Sequence, residues 1–149
     1  MPTALNVAWK ELPQEALREA ALCDEHARGA LELFHPCTGV FLIRAAGHLT
    51  LASTERWIAA FMPLYETGEV FDYFLDWELV TGYDSEARKY LTDHVAKLKR
   101  SVRSIRFVTG NPIVRMGVQV ASIPITFAGL HLETLSREKF SQALAERCG

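Results

Sequence analysis

A chain of 149 residues with 49% apolar and 23% charged residues has room for one domain with a proper hydrophobic core, and not for two. Its formal net charge of −2 gives no basic footprint for nucleic acid. No segment holds the ~18 consecutive apolar residues of a membrane span, and the N-terminus lacks the basic start and apolar run of a secretion signal.

Residues 1–12 are predicted to be loosely ordered. Pro13 then suits the first turn of a helix whose apolar side carries Leu17, Ala20, Ala21 and Ala27, with Gly29 as its left-handed end. ALELF (30–34) and VFLIRA (40–45) read as strands, and Pro36 and Gly39 in the intervening HPCTG supply hairpin-turn chemistry. GHLTLAST (47–54) leads into a helix with Trp57, Phe61 and Leu64 at helical spacing, capped from among Thr50, Ser53 and Thr54. Pro63 is expected to end or kink it near Met62.

VFDYFLDW (70–77) is dense in aromatic and β-branched residues, as a central strand requires. Over 85–102 the residues Ala87, Leu91, Val95, Leu98 and Val102 form one apolar stripe, while Lys89, Asp93, Lys97 and Arg100 fall largely opposite. SIRFVTG (104–110) is a further strand, NPIVRMGVQVAS (111–122) a helix with Pro112 in its first turn, and GLHLETL (129–135) a last strand. Ser136 caps a final helix in which Phe140, Leu144 and Cys148 share a face. This alternation predicts an α/β sandwich with a mixed sheet.

Few residues group as a catalytic or metal site would require. The three cysteines, Cys23, Cys37 and Cys148, are an odd count without a CxxC spacing and read as free thiols in a reducing compartment, which points to the cytoplasm. His35-Pro36-Cys37, with His26 nearby in sequence, lacks a second close-spaced ligand pair, so no metal site is assigned. Lys97, Lys99, Arg100, Arg103 and Arg106 form a local basic cluster at a helix end, which reads as a solvated face or a patch for an acidic partner. Gly110 and Asn111 open a helix without the Lys-Ser/Thr of a phosphate loop. Trp57, Phe71, Tyr73, Phe74 and Trp77 read as core. No nucleophile elbow is present, and no enzyme activity or cofactor is assigned.

The string DWELVTGYDSEARKYL (76–91) carries the most specific signal. Asp76, then Val80-Thr81, then Asp84-Ser85 opening a helix resembles STAS domains, the fold of bacterial anti-sigma factor antagonists. IRAAGHLTLASTERW, with Gly47 and Leu49 in register, resembles that family's entry to its first helix. SIRFVTGNPIVRMGVQVA and LETLSREKFSQAL resemble its later elements, so the similarity covers about residues 30–147. The family's usual Ser-Ser-Gly-Leu is Ser85-Glu86-Ala87-Arg88 here.

The resemblance implies a STAS-like domain over 30–149 with a mixed central sheet and about four helices, preceded by a helical extension over 1–29. It implies a regulatory module whose partner is an anti-sigma factor or kinase-like signalling protein. Tyr83, Asp84, Ser85, Glu86 and Arg88 would form the partner-binding surface, and Ser85 would be the phosphosite. Homo-oligomerisation is left open. The alternative expectation is a carrier holding a lipid or nucleotide between sheet and helices. In physical terms, Asp84 or Ser85 is expected to cap the helix, which is worth about 1 kcal/mol. A phosphate there would add roughly −1.5 to −2 charges beside Asp84 and Glu86.

Overall fold

Strands alternate their side chains between two faces, and in this chain that alternation sorts apolar residues into two unequal layers. The computed structural model describes residues 20–149 apart from 27, 28, 67 and 98. They form a single α/β domain. Its strands are β1 (Ala20–His26), β2 (Gly29–Cys37), β3 (Val40–Leu49), β4 (Phe71–Tyr83), β5 (Val102–Val108) and β6 (His131–Thr134). All six belong to one sheet and lie side by side in chain order. β1, β2 and β3 are antiparallel, whereas β3 to β6 are parallel, so the sheet is mixed.

Parallel neighbours need crossover connections, and the helices α1 (Leu51–Tyr65), α2 (Ser85–Lys97) and α3 (Pro112–Phe127) supply them. These three pack on one face, where Phe41, Ile43, Tyr73, Leu75, Trp77, Ile105 and Phe107 meet Trp57, Leu91, Val114 and Val118. The fourth helix, α4 (Arg137–Cys148), is the one described helix on the opposite face and buries Phe140 and Leu144 against Phe34, Leu42 and Phe74. Each such large apolar side chain contributes about 1.5–3 kcal/mol by leaving water.

Capping residues start the helices where their chemistry predicts. Thr50 Oγ1 accepts from Ser53 N–H and Ser53 Oγ accepts from Thr50 N–H, both at 3.2 Å, ahead of α1. Asn111 Oδ1 accepts from Ile113 N–H at 2.8 Å and Val114 N–H at 3.3 Å, and Ser136 Oγ accepts from Lys139 N–H at 3.3 Å.

Several expectations need correction. Residues 20–26, read as part of a helix, form β1, pairing from Ala20↔Phe34 to His26↔Gly29. The exposed edge of β2 offers backbone partners that outweigh the weak helical preference of AALCDEH. Gly29 therefore opens a strand instead of closing a helix, and the rest of that expected helix, Leu17 before β1 and Ala27 after it included, lies outside the described residues. Helix α1 runs through Pro63 to Tyr65, and α3 through Pro124 to Phe127, because a proline in a last turn removes only one backbone bond. Helix α2 stops at Lys97, so Val102 is a buried residue of β5; Leu98 is not described. The side chains of Phe61 and Leu64 also lie outside the described ones.

Cys37 and Cys148 are not free thiols. They are joined as a disulfide with Cα atoms 5.6 Å apart. The two stand 111 positions apart in sequence, and only the packing of α4 across the end of β2 brings them together. The inference of a reducing compartment loses the support it drew from these two residues.

Candidate functional site

The junction between β4 and α2 is built by the ends of two parallel strands. Leu49 and Tyr83 are register partners, and Asp84 N–H donates to the Leu49 carbonyl at 2.9 Å. The Asp84 carbonyl then accepts from Arg88 N–H at 3.1 Å, which puts Asp84 at the N-cap position of α2. Its carboxylate lies 2.8 Å from His48 Nε2, tying the junction sideways to β3. Gly82 makes room for that pair: a Cβ there would stand 3.1 Å from His48 Nδ1.

The five residues singled out in the sequence divide between two environments. Ser85 and Glu86 are exposed on the first turn of α2, at the end where unpaired N–H groups give a partial positive charge. Asp84 is half-buried. Tyr83 and Arg88 turn inward and line a cavity between the sheet and helices α2 and α3. Tyr83 reaches α3 at Gly117, where any Cβ would overlap its hydroxyl. The small residue at 117 and the aromatic at 83 are therefore one packing unit.

The cavity has a volume of about 70 Å³ and an apolar wall that includes Leu75, Trp77, Leu91, Phe107 and Val118. That is small beside the roughly 300–1,000 Å³ of sites that enclose drug-sized ligands. Trp77 Nε1, on the cavity wall, is buried without a hydrogen-bond acceptor. The aromatics read as core are buried, and Trp57 and Trp77 also face this space.

On the other face of the sheet, sequence reasoning missed a buried ionic layer. Asp76 is almost fully buried and accepts from Arg44 Nε at 3.0 Å and from Arg137 Nη1 at 3.2 Å. Arg137 Nε also donates to Glu78 at 2.7 Å. Burial lowers the pKa of Arg44 and Asp76 only partly opposes this. Burial would also lower that of Arg137, but bonds to Asp76 and Glu78 outweigh it and the pKa rises. Asp72 accepts from Ser104 Oγ at 2.6 Å, Arg147 Nε at 2.9 Å and Arg103 Nη1 at 3.2 Å. Burial would raise its pKa, yet these donors hold it below the usual carboxylate value.

The period-two spacing of Asp72, Phe74 and Asp76 already placed both carboxylates on one face. The arginines that answer them come from β3, β5 and α4, and nothing in the local pattern announced them. Part of the basic cluster is consumed in the same way. Arg103 serves Asp72, and Arg106 lies 5.3 Å over the Phe74 ring, while Lys97, Lys99 and Arg100 stay exposed. His35 packs on Phe41 with ring centroids 4.9 Å apart, and Cys37 is in the disulfide. His26 contributes no described side chain. No group of three or more His, Cys, Asp or Glu side chains arranged to hold a metal occurs among the described residues. Among them, too, no helix is long and apolar enough to cross a membrane.

Comparison with known proteins adds no relative: no family model matches the chain, and no curated protein matches it significantly.

Proposed function

We propose that this chain is a non-enzymatic regulatory module that binds a protein partner through the β4–α2 junction, with phosphorylation of Ser85 as the release signal. The partner is an anti-sigma factor or a kinase-like signalling protein, and no nucleic acid or cofactor takes part. The observation that carries this reading is the contrast at the junction: exposed Ser85 and Glu86 stand on a backbone fixed by Leu49 and on a neighbour, Asp84, held by His48. A hydroxyl so placed is open to a kinase and to a docked surface alike. A phosphate there is tolerated by the positive helix end and repelled by any acidic or close-packed partner surface. The STAS resemblance at Asp76, Val80-Thr81 and Asp84-Ser85 supports the same assignment.

The test is titration calorimetry of the full chain against a purified kinase-like anti-sigma factor. Ser85→Ala is expected to bind within about twofold of wild type, and Ser85→Asp at least about tenfold more weakly. Equal affinity for both variants, or no binding by the wild type, would overturn the reading.

One observation favours a second reading, a carrier for a small apolar molecule: the unpaired Trp77 indole N–H on the wall of an otherwise apolar cavity. A ligand bearing one hydrogen-bond acceptor would satisfy it. Native mass spectrometry of freshly isolated protein would then show a co-purifying mass, lost in Gly117→Leu. A clean apo mass with no thermal shift across a metabolite panel would dismiss this reading.

A further inference from the structure

Helix α3 is apolar on two sides. Val114, Gly117, Val118 and Ile125 are buried toward its own sheet. On the far side Ile113, Met116, Val120, Ile123 and Phe127 recur at intervals of three and four, the a/d spacing by which one helix packs along another. These side chains face solvent: Ile113 is 64% exposed, Met116 65%, Val120 49%, Ile123 58% and Phe127 89%. Together they present on the order of 600 Å² of apolar surface, the upper end of what a monomer leaves uncovered and most of the about 800 Å² per partner of a standard interface.

We propose that a second copy of this chain covers the stripe, two α3 helices packing antiparallel about a two-fold axis at Val120. Charge argues for self-pairing. Arg115 is the one charged residue of α3, and its Nη2 donates back to the Thr109 carbonyl at 3.3 Å. A charged partner would find nothing to pair with, whereas an apolar stripe on a two-fold axis is its own complement. The antiparallel sense follows from the ends and from size. Parallel helices would bring two positive N-termini and two Arg115 side chains together, while antiparallel ones set each N-terminus against a C-terminus. Val120, the smallest stripe residue, lies at the midpoint, where the backbones cross most closely. Ile113 then meets Phe127 of the second copy, and Met116 meets its Ile123.

The test is sedimentation of the full chain at about 100 μM, where a complex of this interface size is populated. Wild type is expected at twice the chain mass, and Val120→Glu is expected to raise the dimer dissociation constant at least about 100-fold. Val120 is solvent-facing in one chain, so the variant should melt as a wild-type monomer does. Ile113→Glu mixed with Phe127→Lys should re-form a dimer that neither variant forms alone, since antiparallel pairing sets the new charges together. A monomeric wild type, a dimer indifferent to Val120→Glu, or a mixture that stays monomeric would each overturn the proposal. A monomer that instead floats with phosphatidylglycerol vesicles would also overturn it and reassign the stripe to a lipid surface.

Discussion

Arg44 and Asp76 show how single side chains secure this fold from within. A guanidinium only 2% exposed is tolerable because Asp76 lies 3.0 Å away and is itself bound by Arg137. Such a pair adds little over an apolar one of the same shape, but removing one partner leaves the other charged and buried. Asp76→Ala is therefore expected to destabilise the protein by about 3 kcal/mol, the low end for a broken buried pair, because Arg44 also lies in the field of Glu32. Urea denaturation checks this, and a loss below about 0.5 kcal/mol would show the pair to be dispensable. The residue scale also explains Gly117, whose missing side chain is the space that Tyr83 occupies.

Among the elements, α4 is held by apolar, ionic and covalent contacts together. Phe140 and Leu144 anchor its middle, Arg137 and Arg147 bind Asp76 and Asp72 near its ends, and Cys148 is bonded to Cys37. A bridge closing a loop of 111 positions restricts the unfolded chain strongly. Reduction is expected to lower stability by about 2–4 kcal/mol, read as a shift in the denaturation midpoint with dithiothreitol. Cys37→Ser should show the same loss without reductant, and an unchanged midpoint in both would show that the bridge contributes nothing to stability. Helices α2 and α3 were legible because their signals are local: the stripe of Ala87, Leu91 and Val95, Pro112 in a first turn, and a cap at Asn111. Strand β1 was not, since AALCDEH becomes a strand only beside the edge of β2. The bridge and the Asp72 and Asp76 partners were equally hidden, because they join residues 31 to 111 positions apart. The outer stripe of α3 was written in the sequence, but its exposure depended on which side the sheet would take.

For the molecule as a whole, the mixed sheet has two very different faces. Among the described residues, one is closed by three helices over an aromatic core, and the other by a single helix over an ionic layer. The β4–α2 junction stands at the end of the parallel strands β3 and β4, where open α/β sheets present their working loops. The sequence placed Asp84-Ser85 at this strand-to-helix step correctly, because a cap residue followed by a helical stripe is a short-range signal. The partner proposed for the junction would be selected by its own surface, which no local pattern in this chain encodes. The proposed role therefore rests on Ser85, and the intact mass of protein isolated from its native cell tests it most directly. The account predicts a species heavier by about 80 Da, one phosphate, mapping to the peptide that contains Ser85. A chain that carries no added mass at Ser85 in any growth phase would contradict it.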